Sequence, residues 1–576
     1  MRQFKTQLSY YPWTTICLLV IILCANMGCQ QKSWVPNQIL GTTAQNAMVV
    51  SAREEASAIG LSVMAQGGNA FDAMFATELA LAVVYPYAGN LGGGGFMVYR
   101  LNDGTTGSLD YREMAPAAAH RNMFLDSLGN HDSALSTVGG LSVGVPGTIK
   151  GIFAAQQKFG LLPLTTLLDP VIVLAEKGYV VTENQSKRLA QYREIIRQTS
   201  GTESLYTSVI SPGDTIKNQA IANTLKKIRD QGQQAFYDGE MAQHMSQFIQ
   251  SKGGVIQLED FQNYEVHWRD PIRFQYENLE IISMGPPSSG GICLGQILGM
   301  LEPYDLEDLG HNSALYVQHL TEAERRAYAD RSHFLGDPDY VSIPLEQLLS
   351  PRYLAKKMAS FSAKTATSSE AISHGNLAVY ESDETTHYSI VDPMGNAVSV
   401  TTTINGAYGS KLFDPKLGFF YNNEMDDFSA KPGSPNMFGL IGGEANAIAP
   451  GKRMLSSMTP TIVLKEGQLW QVLGTPGGST IITTVLQIIL NTHHFQMGIQ
   501  EAVNQPRMHH QWLPDIVQFE SDGFSQSLLD SLNQKGYNTL QKEQMIIGKV
   551  DAIMRHNDGL LEGGADPRGD DSALGF

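Results

Sequence analysis

Thr385-Thr386-His387-Tyr388-Ser389-Ile390-Val391, then Asp392-Pro393-Met394-Gly395, then Asn396-Ala397-Val398-Ser399-Val400-Thr401-Thr402-Thr403 read as strand, turn and strand. β-Branched residues fill both runs, and Asp-Pro-x-Gly between them is a strong turn signal for a three-residue hairpin loop. Centring the loop on Met394 places Thr385 opposite Thr403, His387 opposite Thr401, Ser389 opposite Ser399 and Val391 opposite Ala397. That face is small and hydroxylic. The other face pairs Tyr388 with Val400 and Ile390 with Val398, so it is expected to pack against helices. β-Propensity alone would also account for a Thr-rich strand pair, so the hairpin by itself assigns no chemistry.

Upstream, residues 69–84 read as a helix capped by Asn69 and apolar nearly all round, hence buried. A glycine loop at 92–95 follows it. Residues 96–101 and 107–111 look like two strands joined by Asn102-Asp103-Gly104, and residues 146–349 are mostly helical without an internal repeat. Residues 356–384 shift to Ser, Ala, Thr and Glu without periodicity, the composition of a flexible exposed linker. Together these point to layered α and β structure.

The chain has 576 residues, is 42% hydrophobic and carries a formal charge of −17, a globular composition with no basic run to hold nucleic acid. Three of its four cysteines, Cys17, Cys24 and Cys29, fall at the start of the chain and the fourth is Cys293, so no disulfide framework or thiolate metal cluster is expected. Arg2 and Lys5 precede an apolar stretch at 16–25, too short to span a bilayer and suited to an export signal. Asn26-Met27-Gly28-Cys29 resembles a loose bacterial lipobox, although the usual Leu-Ala ahead of Gly-Cys is missing. Residues 1–28 are therefore expected to be a signal peptide, with Cys29 lipidated or ordinary cleavage nearby, and the product exported to the periplasm or anchored to a membrane.

Further blocks make the sequence recognisable. Leu91-Gly92-Gly93-Gly94-Gly95-Phe96-Met97, Asp110-Tyr111-Arg112-Glu113-Met114-Ala115-Pro116, Val143-Gly144-Val145-Pro146-Gly147-Thr148 and Tyr328-Ala329-Asp330-Arg331 precede the hairpin. Asn422-Asn423-Glu424-Met425-Asp426-Asp427-Phe428, Leu455-Ser456-Ser457-Met458 and Pro476-Gly477-Gly478-Ser479 follow it. From about Met48 onward the chain closely resembles the γ-glutamyltranspeptidases, which are N-terminal nucleophile hydrolases.

The resemblance implies an α+β fold, a four-layer αββα sandwich built jointly by two autoproteolytic fragments. It places the self-cleavage between Glu384 and Thr385, giving a large subunit of residues 29–384 and a small one of 385–576 that remain together as a heterodimer. Thr385 would then be the nucleophile. A Thr hydroxyl is a weak nucleophile unaided, but the freed α-amino group titrates near pH ~8 and can take its proton. Thr403, which the hairpin register independently sets across from Thr385, corresponds to the supporting Thr. Gly477 and Gly478 match the oxyanion hole.

For the substrate, the resemblance gives Arg112, with Ser456 and Ser457, to the α-carboxylate of a γ-glutamyl group, and Asn405, Glu424 and Asp427 to its α-ammonium. Arg112 taken alone would more readily be a surface ion pair with Asp110 or Glu113, and Glu424-Met425-Asp426-Asp427 a solvated acidic loop. Residues 432–453 correspond to a lid loop, with Phe438 where lid-bearing relatives often carry Tyr, so that a hydroxyl latch cannot form and the lid is expected to be looser. The implied reaction is γ-glutamyl transfer from glutathione or another γ-glutamyl donor to water, an amino acid or a dipeptide, with no cofactor or metal. The rival readings are a non-catalytic exported binding lipoprotein and an acylase for glutaryl or β-lactam side chains on the same fold.

Weaker motifs are set aside on physical grounds. Gly140-Leu141-Ser142-Val143-Gly144 fits a serine-hydrolase elbow, but Pro146 would fall within the first turns of the required helix. The glycines at 89–95 precede a strand, not a helix, and no Gly-Lys-Ser or Gly-Lys-Thr follows. His493-His494 and His509-His510 lack metal-binding helix spacing and are expected to be structural, and His387 is expected to pack or hydrogen-bond.

Overall fold

The computed structural model describes residues 40–372 and 385–576; the expected signal peptide, Cys17, Cys24, Cys29 and Glu384 lie outside the described residues. Strands Thr386–Val391 and Ala397–Thr403 pair antiparallel with His387 opposite Thr401, Ser389 opposite Ser399 and Val391 opposite Ala397, the register the turn dictates. They form the centre of a seven-stranded antiparallel sheet. Met48–Ser51 and Ser572–Gly575 extend it on one side, and Gly94–Arg100, Thr106–Tyr111 and His267–Arg269 on the other. The two strands expected near residues 96–111 are thus present, each starting slightly earlier.

A second seven-stranded antiparallel sheet lies against the first, in the order Thr42–Ala44, Leu561–Ala565, Asp551–Arg555, Gln468–Gly474, Thr461–Lys465, Leu279–Ser283 and Ile272–Tyr276. Val50, Phe96, Val98, Ile282, Ile462, Val472 and Ile553 fill the space between the sheets. Helices cover both outer faces, which completes the expected αββα sandwich. Both sheets mix strands from before and after residue 384.

The hydroxyl face of the hairpin points into the sandwich. Ser389 Oγ lies 3.2 Å from Val472 O and 2.9 Å from Asp551 O, while Ser399 Oγ donates to Leu473 O (3.0 Å) and accepts from Thr461 N (3.0 Å). Small hydroxyls therefore tie the central strands of one sheet to the backbone of the other. His387 sits among them, 2.9 Å from Thr401 Oγ1 and 3.1 Å from Ser389 Oγ, and burial pushes its pKa down to about 3. Gly474 faces its ring, and a Cβ there would lie 2.3 Å from His387 Cε1.

On the outer face, Tyr388, Ile390, Val398 and Val400 pack with helix Ala70–Val84. Asn69 caps this helix as expected: its side chain accepts from Phe71 N and Asp72 N, and Asp72 returns a bond to Asn69 N. Such a capping box contributes about 1 kcal/mol.

One expectation fails. The segment after residue 356 is not a free linker as far as Ile372, because Ser369 is fully buried, donates from its hydroxyl to Trp512 O (2.6 Å) and from its amide to Asp515 Oδ2 (2.8 Å). Composition missed this because the anchoring is made by backbone and hydroxyl groups, which leave no apolar period. Ser142 closes a short 3₁₀ turn, Gly140–Ser142, with its hydroxyl on Gly139 O (2.8 Å), and no elbow forms there.

Candidate active site

Thr385 heads the central strand, buried, with its Oγ1 3.4 Å from Thr403 Oγ1. Thr403 Oγ1 also accepts the amide of Asn405 at 2.8 Å, which helps to hold this hydroxyl beside Thr385. Asn405 has φ +71°, a left-handed conformation that Asn tolerates better than most residues. Its Nδ2 donates to Asn423 O (3.0 Å), and the residue lines the cavity beside Thr403.

A narrow cavity of about 20 Å³ opens beside these hydroxyls. Arg112, Thr385, Thr403, Asn405, Glu424, Asp427, Ser456, Ser457 and Gly478 all line it, together with Phe438, Leu440, Met458 and Ile481. The residues that the resemblance singled out thus converge from points more than three hundred positions apart in the chain; Gly477 flanks the cavity without lining it.

Gly477 (φ +138°) and Gly478 (φ +53°) lie just ahead of helix Thr480–His493. A Cβ on Gly478 would come within 2.5 Å of the Phe438 ring, so only glycine allows that approach. Among the described residues neither glycine's N–H has a protein acceptor. Two unengaged amides at the positive end of a helix suit a developing negative charge.

Arg112 is buried rather than at the surface, and its guanidinium does not pair with Asp110; that carboxylate accepts the Arg112 amide (3.0 Å) and pairs with Arg269 (2.8 Å) and Arg453 (2.6 Å). Arg112 instead pairs with Glu424 through Nη1, with Asp427 through Nη2 (2.5 Å) and more loosely with Glu113 (3.6 Å). The cationic and anionic parts that the resemblance implies are therefore in direct contact. Burial alone would lower the pKa of Arg112, but Glu424, Asp427 and Glu113 outweigh it and hold the guanidinium charged.

Three carboxyls share this one cation. Burial pushes Glu113 up to about 7 against the pull of Arg112, and it raises Glu424 and Asp427 for the same reason. Both Glu113 oxygens and Glu424 Oε2 are buried without hydrogen-bond partners. Of these, Glu424 belongs to the cavity wall, where its unsatisfied oxygen is an acceptor that an ammonium group would fill, while Glu113 lies behind the wall.

The lid differs from expectation in how it is held. Phe438 is buried over Gly478 and has no hydroxyl, but its carbonyl accepts from Gln511 Nε2 (3.2 Å). Next to it Asn436 Nδ2 donates to Asp427 Oδ1 (3.0 Å) and Met437 N to Asp426 Oδ2 (2.8 Å). Backbone and amide bonds latch the loop in place of a phenol.

Sequence reasoning gave Arg331 no role. It donates from Nη2 to Ser457 Oγ (3.1 Å) and from Nε to Ser289 Oγ (2.9 Å), and so orients one of the cavity hydroxyls. Its signal was present in Tyr328-Ala329-Asp330-Arg331, a charged stretch inside a helix, Ala314–Phe334, that proves buried on nearly every side. Of the histidine pairs, His493 contacts Glu277 (2.6 Å), His494 meets Tyr276 Oη (2.7 Å), and His509 and His510 lie in buried networks with Thr483 and Asp515.

The family model described as Gamma-glutamyltranspeptidase matches residues 56–576. The chain belongs to this family. It is 44% identical over 538 residues to the glutathione hydrolase proenzyme of Escherichia coli K12, an alignment covering 92% of each protein. It is 35% identical to the acylase ACY 1 proenzyme of Pseudomonas sp. V22, covering 95% of each. Among solved structures, the cephalosporin acylase from Bacillus halodurans superposes with a TM-score of 0.83 over 96% of this chain and 99% of that one, at 24% identity, a likeness of fold. The nucleophile-first, four-layer architecture of γ-glutamyltranspeptidases is thus the frame in which these side chains act.

Proposed function

We propose that the chain is a self-activating γ-glutamyltransferase and glutathione hydrolase whose nucleophile is Thr385. The observation that carries this reading is the convergence of Thr385, Thr403, Gly478, Arg112, Ser456, Ser457 and Asp427 on one cavity. After cleavage between Glu384 and Thr385, the new α-amino group takes the Thr385 hydroxyl proton as the oxygen attacks the γ-carbonyl carbon. The tetrahedral oxyanion is stabilised by the Gly477 and Gly478 amides. Collapse returns the proton to the departing amine, cysteinylglycine in the case of glutathione, and leaves a γ-glutamyl-Thr385 ester. Water, an amino acid or a dipeptide then attacks the ester.

Substrate specificity follows from charge exchange. The α-carboxylate takes the Arg112 guanidinium, with Ser456 and Ser457, while the α-ammonium takes Glu424, Asp427 and the Asn405 oxygen, so each half of the zwitterion replaces one side of an existing ion pair. The similarity to an acylase proenzyme supports a second reading, acylase action on glutaryl or β-lactam side chains. A glutaryl group has no ammonium and would add a further carboxylate to a cluster that already has Glu113, Glu424 and Asp427 around Arg112, which favours the γ-glutamyl reading.

The two fragments, residues 29–384 and 385–576, are proposed to remain together as a heterodimer, supported by the mixing of their strands in both sheets. Export to the periplasm, with Cys29 as a lipid anchor, is proposed from the signal-like start of the chain. Assay of release from a chromogenic γ-glutamyl anilide beside a glutaryl anilide tests the reading. Turnover of the first and not the second supports it; preference for the glutaryl compound moves the chain to the acylases.

A further inference from the structure

A cavity of about 330 Å³, much larger than the one at Thr385, lies elsewhere in the molecule. It lies at the other end of the sandwich, against the Asp392–Gly395 turn, where the two sheets part. Thr385 to Asp392 spans seven residues of extended chain, so the two sites are separated by roughly 23 Å at ~3.3 Å per residue.

Its walls are polar and carry two guanidinium groups. Arg100 ends strand Gly94–Arg100 of the nucleophile sheet, and Arg555 ends strand Asp551–Arg555 of the second. Neither has an ion-pair partner among the described residues. Arg100 is nine-tenths buried, yet among the described residues its guanidinium makes only one long hydrogen bond, from Nη1 to Leu101 O (3.3 Å), and its Nε is buried with no acceptor. Burial and the neighbouring Arg555 charge both push the Arg100 pKa down, with the exposed Asp103 offsetting this from beyond ion-pair distance.

The one carboxylate in the wall does not neutralise them. Asp392 accepts Met394 N and Asn396 N at Oδ1 (2.9 Å each), and Ala70 N (3.0 Å) and Asn396 Nδ2 (2.7 Å) at Oδ2, so its lone pairs are spent on the turn and the helix behind it. The remaining polar wall includes the amide side chains of Asn46, Asn102 and Gln468, which can donate. Two like charges held together at a cavity, one of them desolvated and short of acceptors, cost free energy that a bound anion removes. Guanidinium forks supplied from two sides fit oxygens spread over a small group.

We infer that this cavity is a second binding site, for a small polyvalent oxyanion such as a phosphate or a polycarboxylate, held between Arg100 and Arg555 across the far ends of the two sheets. The site is independent of the reaction assigned to Thr385. Binding there would brace the hairpin turn against the second sheet and stabilise the folded protein by linkage.

The test is calorimetric titration of the whole mature protein with inorganic phosphate and with citrate, at constant ionic strength set by chloride, paired with thermal melting. Saturable binding and a rise in Tm are expected with at least one of the two, and the preferred probe separates a phosphate site from a carboxylate site. The exposed Arg555→Gln should fold, keep wild-type γ-glutamyl turnover and bind at least about tenfold more weakly, the loss of one charge-assisted contact. Arg100→Gln should abolish binding. Absence of saturable binding to the wild type, an Arg555→Gln affinity equal to the wild type, or an equal Tm rise from chloride alone would each overturn the inference.

Discussion

Thr385 and Thr403 face each other across the open end of the central hairpin, hydroxyl to hydroxyl at 3.4 Å, while the amide of Asn405 donates to the Thr403 oxygen at 2.8 Å. Removing the Thr403 hydroxyl should therefore misdirect the nucleophile without emptying the substrate pocket. Thr403→Val is expected to lower kcat by about ten- to a hundredfold, the worth of one buried positioning hydrogen bond, with KM nearly unchanged. Steady-state kinetics on a γ-glutamyl anilide checks this, and an unchanged kcat would remove Thr403 from the machinery.

Maturation and turnover should depend on the same oxygen. Thr385→Ala is expected to stay a single uncut chain with no activity, whereas the wild type gives two fragments, the smaller beginning at Thr385. Intact-mass measurement under denaturing conditions distinguishes them; a wild type that remains uncut would favour the binding-protein reading.

Arg112 is predicted to serve both binding and stability. Arg112→Lys keeps a charge but loses the fork, so KM for the donor should rise by about a hundredfold or more. Arg112→Ala leaves Glu113, Glu424 and Asp427 buried without a cation and should also cost about 3–5 kcal/mol in chemical denaturation at neutral pH.

Behind the hairpin, Glu78 is buried, accepts Tyr388 Oη at 2.8 Å and lies 2.8 Å from Thr402 Oγ1; burial raises it to about 7, against those two hydrogen bonds. Thr402 Oγ1 also lies 3.0 Å from Gly94 O and has one proton, so a protonated Glu78 completes the chain of donors. A raised carboxyl pKa means that the folded state holds a proton the unfolded state has lost. This contribution is complete below the unfolded value of 4.5 and is lost as pH rises through about 7. Glu78→Gln should therefore gain stability relative to wild type from pH 5 to 8, as read by denaturant midpoints; a constant difference would place the Glu78 pKa in its ordinary range.

The lid is predicted to tune the fate of the ester. Phe438→Tyr adds a hydroxyl beside Gly478, and is expected to change the ratio of transfer to hydrolysis by about twofold or more, measured with and without a dipeptide acceptor. An unchanged ratio would show that the bonds from Asn436, Met437 and Gln511 already hold the loop.

The hairpin and its register were legible because period two and a Pro-Gly turn are local signals, and helix 70–84 because its cap and its apolar run are contiguous. The candidate site residues became legible only through the family's blocks, since Arg112 and Asp427 owe their proximity to the tertiary fold. What the sequence hid was electrostatic and non-local. Nothing adjacent to Arg112 distinguishes a buried cation with three acids from a surface pair, and Ser369 carries no mark of its burial. Arg331 was hidden likewise, because a helix charged along its length ordinarily faces water.

Strand Met48–Ser51, which flanks the nucleophile strand, is itself flanked by Ser572–Gly575. A ribosome must therefore deliver residues more than five hundred positions apart before that side of the sheet closes, so a nascent chain cannot assemble the complete sheet early. If cleavage requires the closed sheet, synthesis itself times activation, and truncated translation products stay inert.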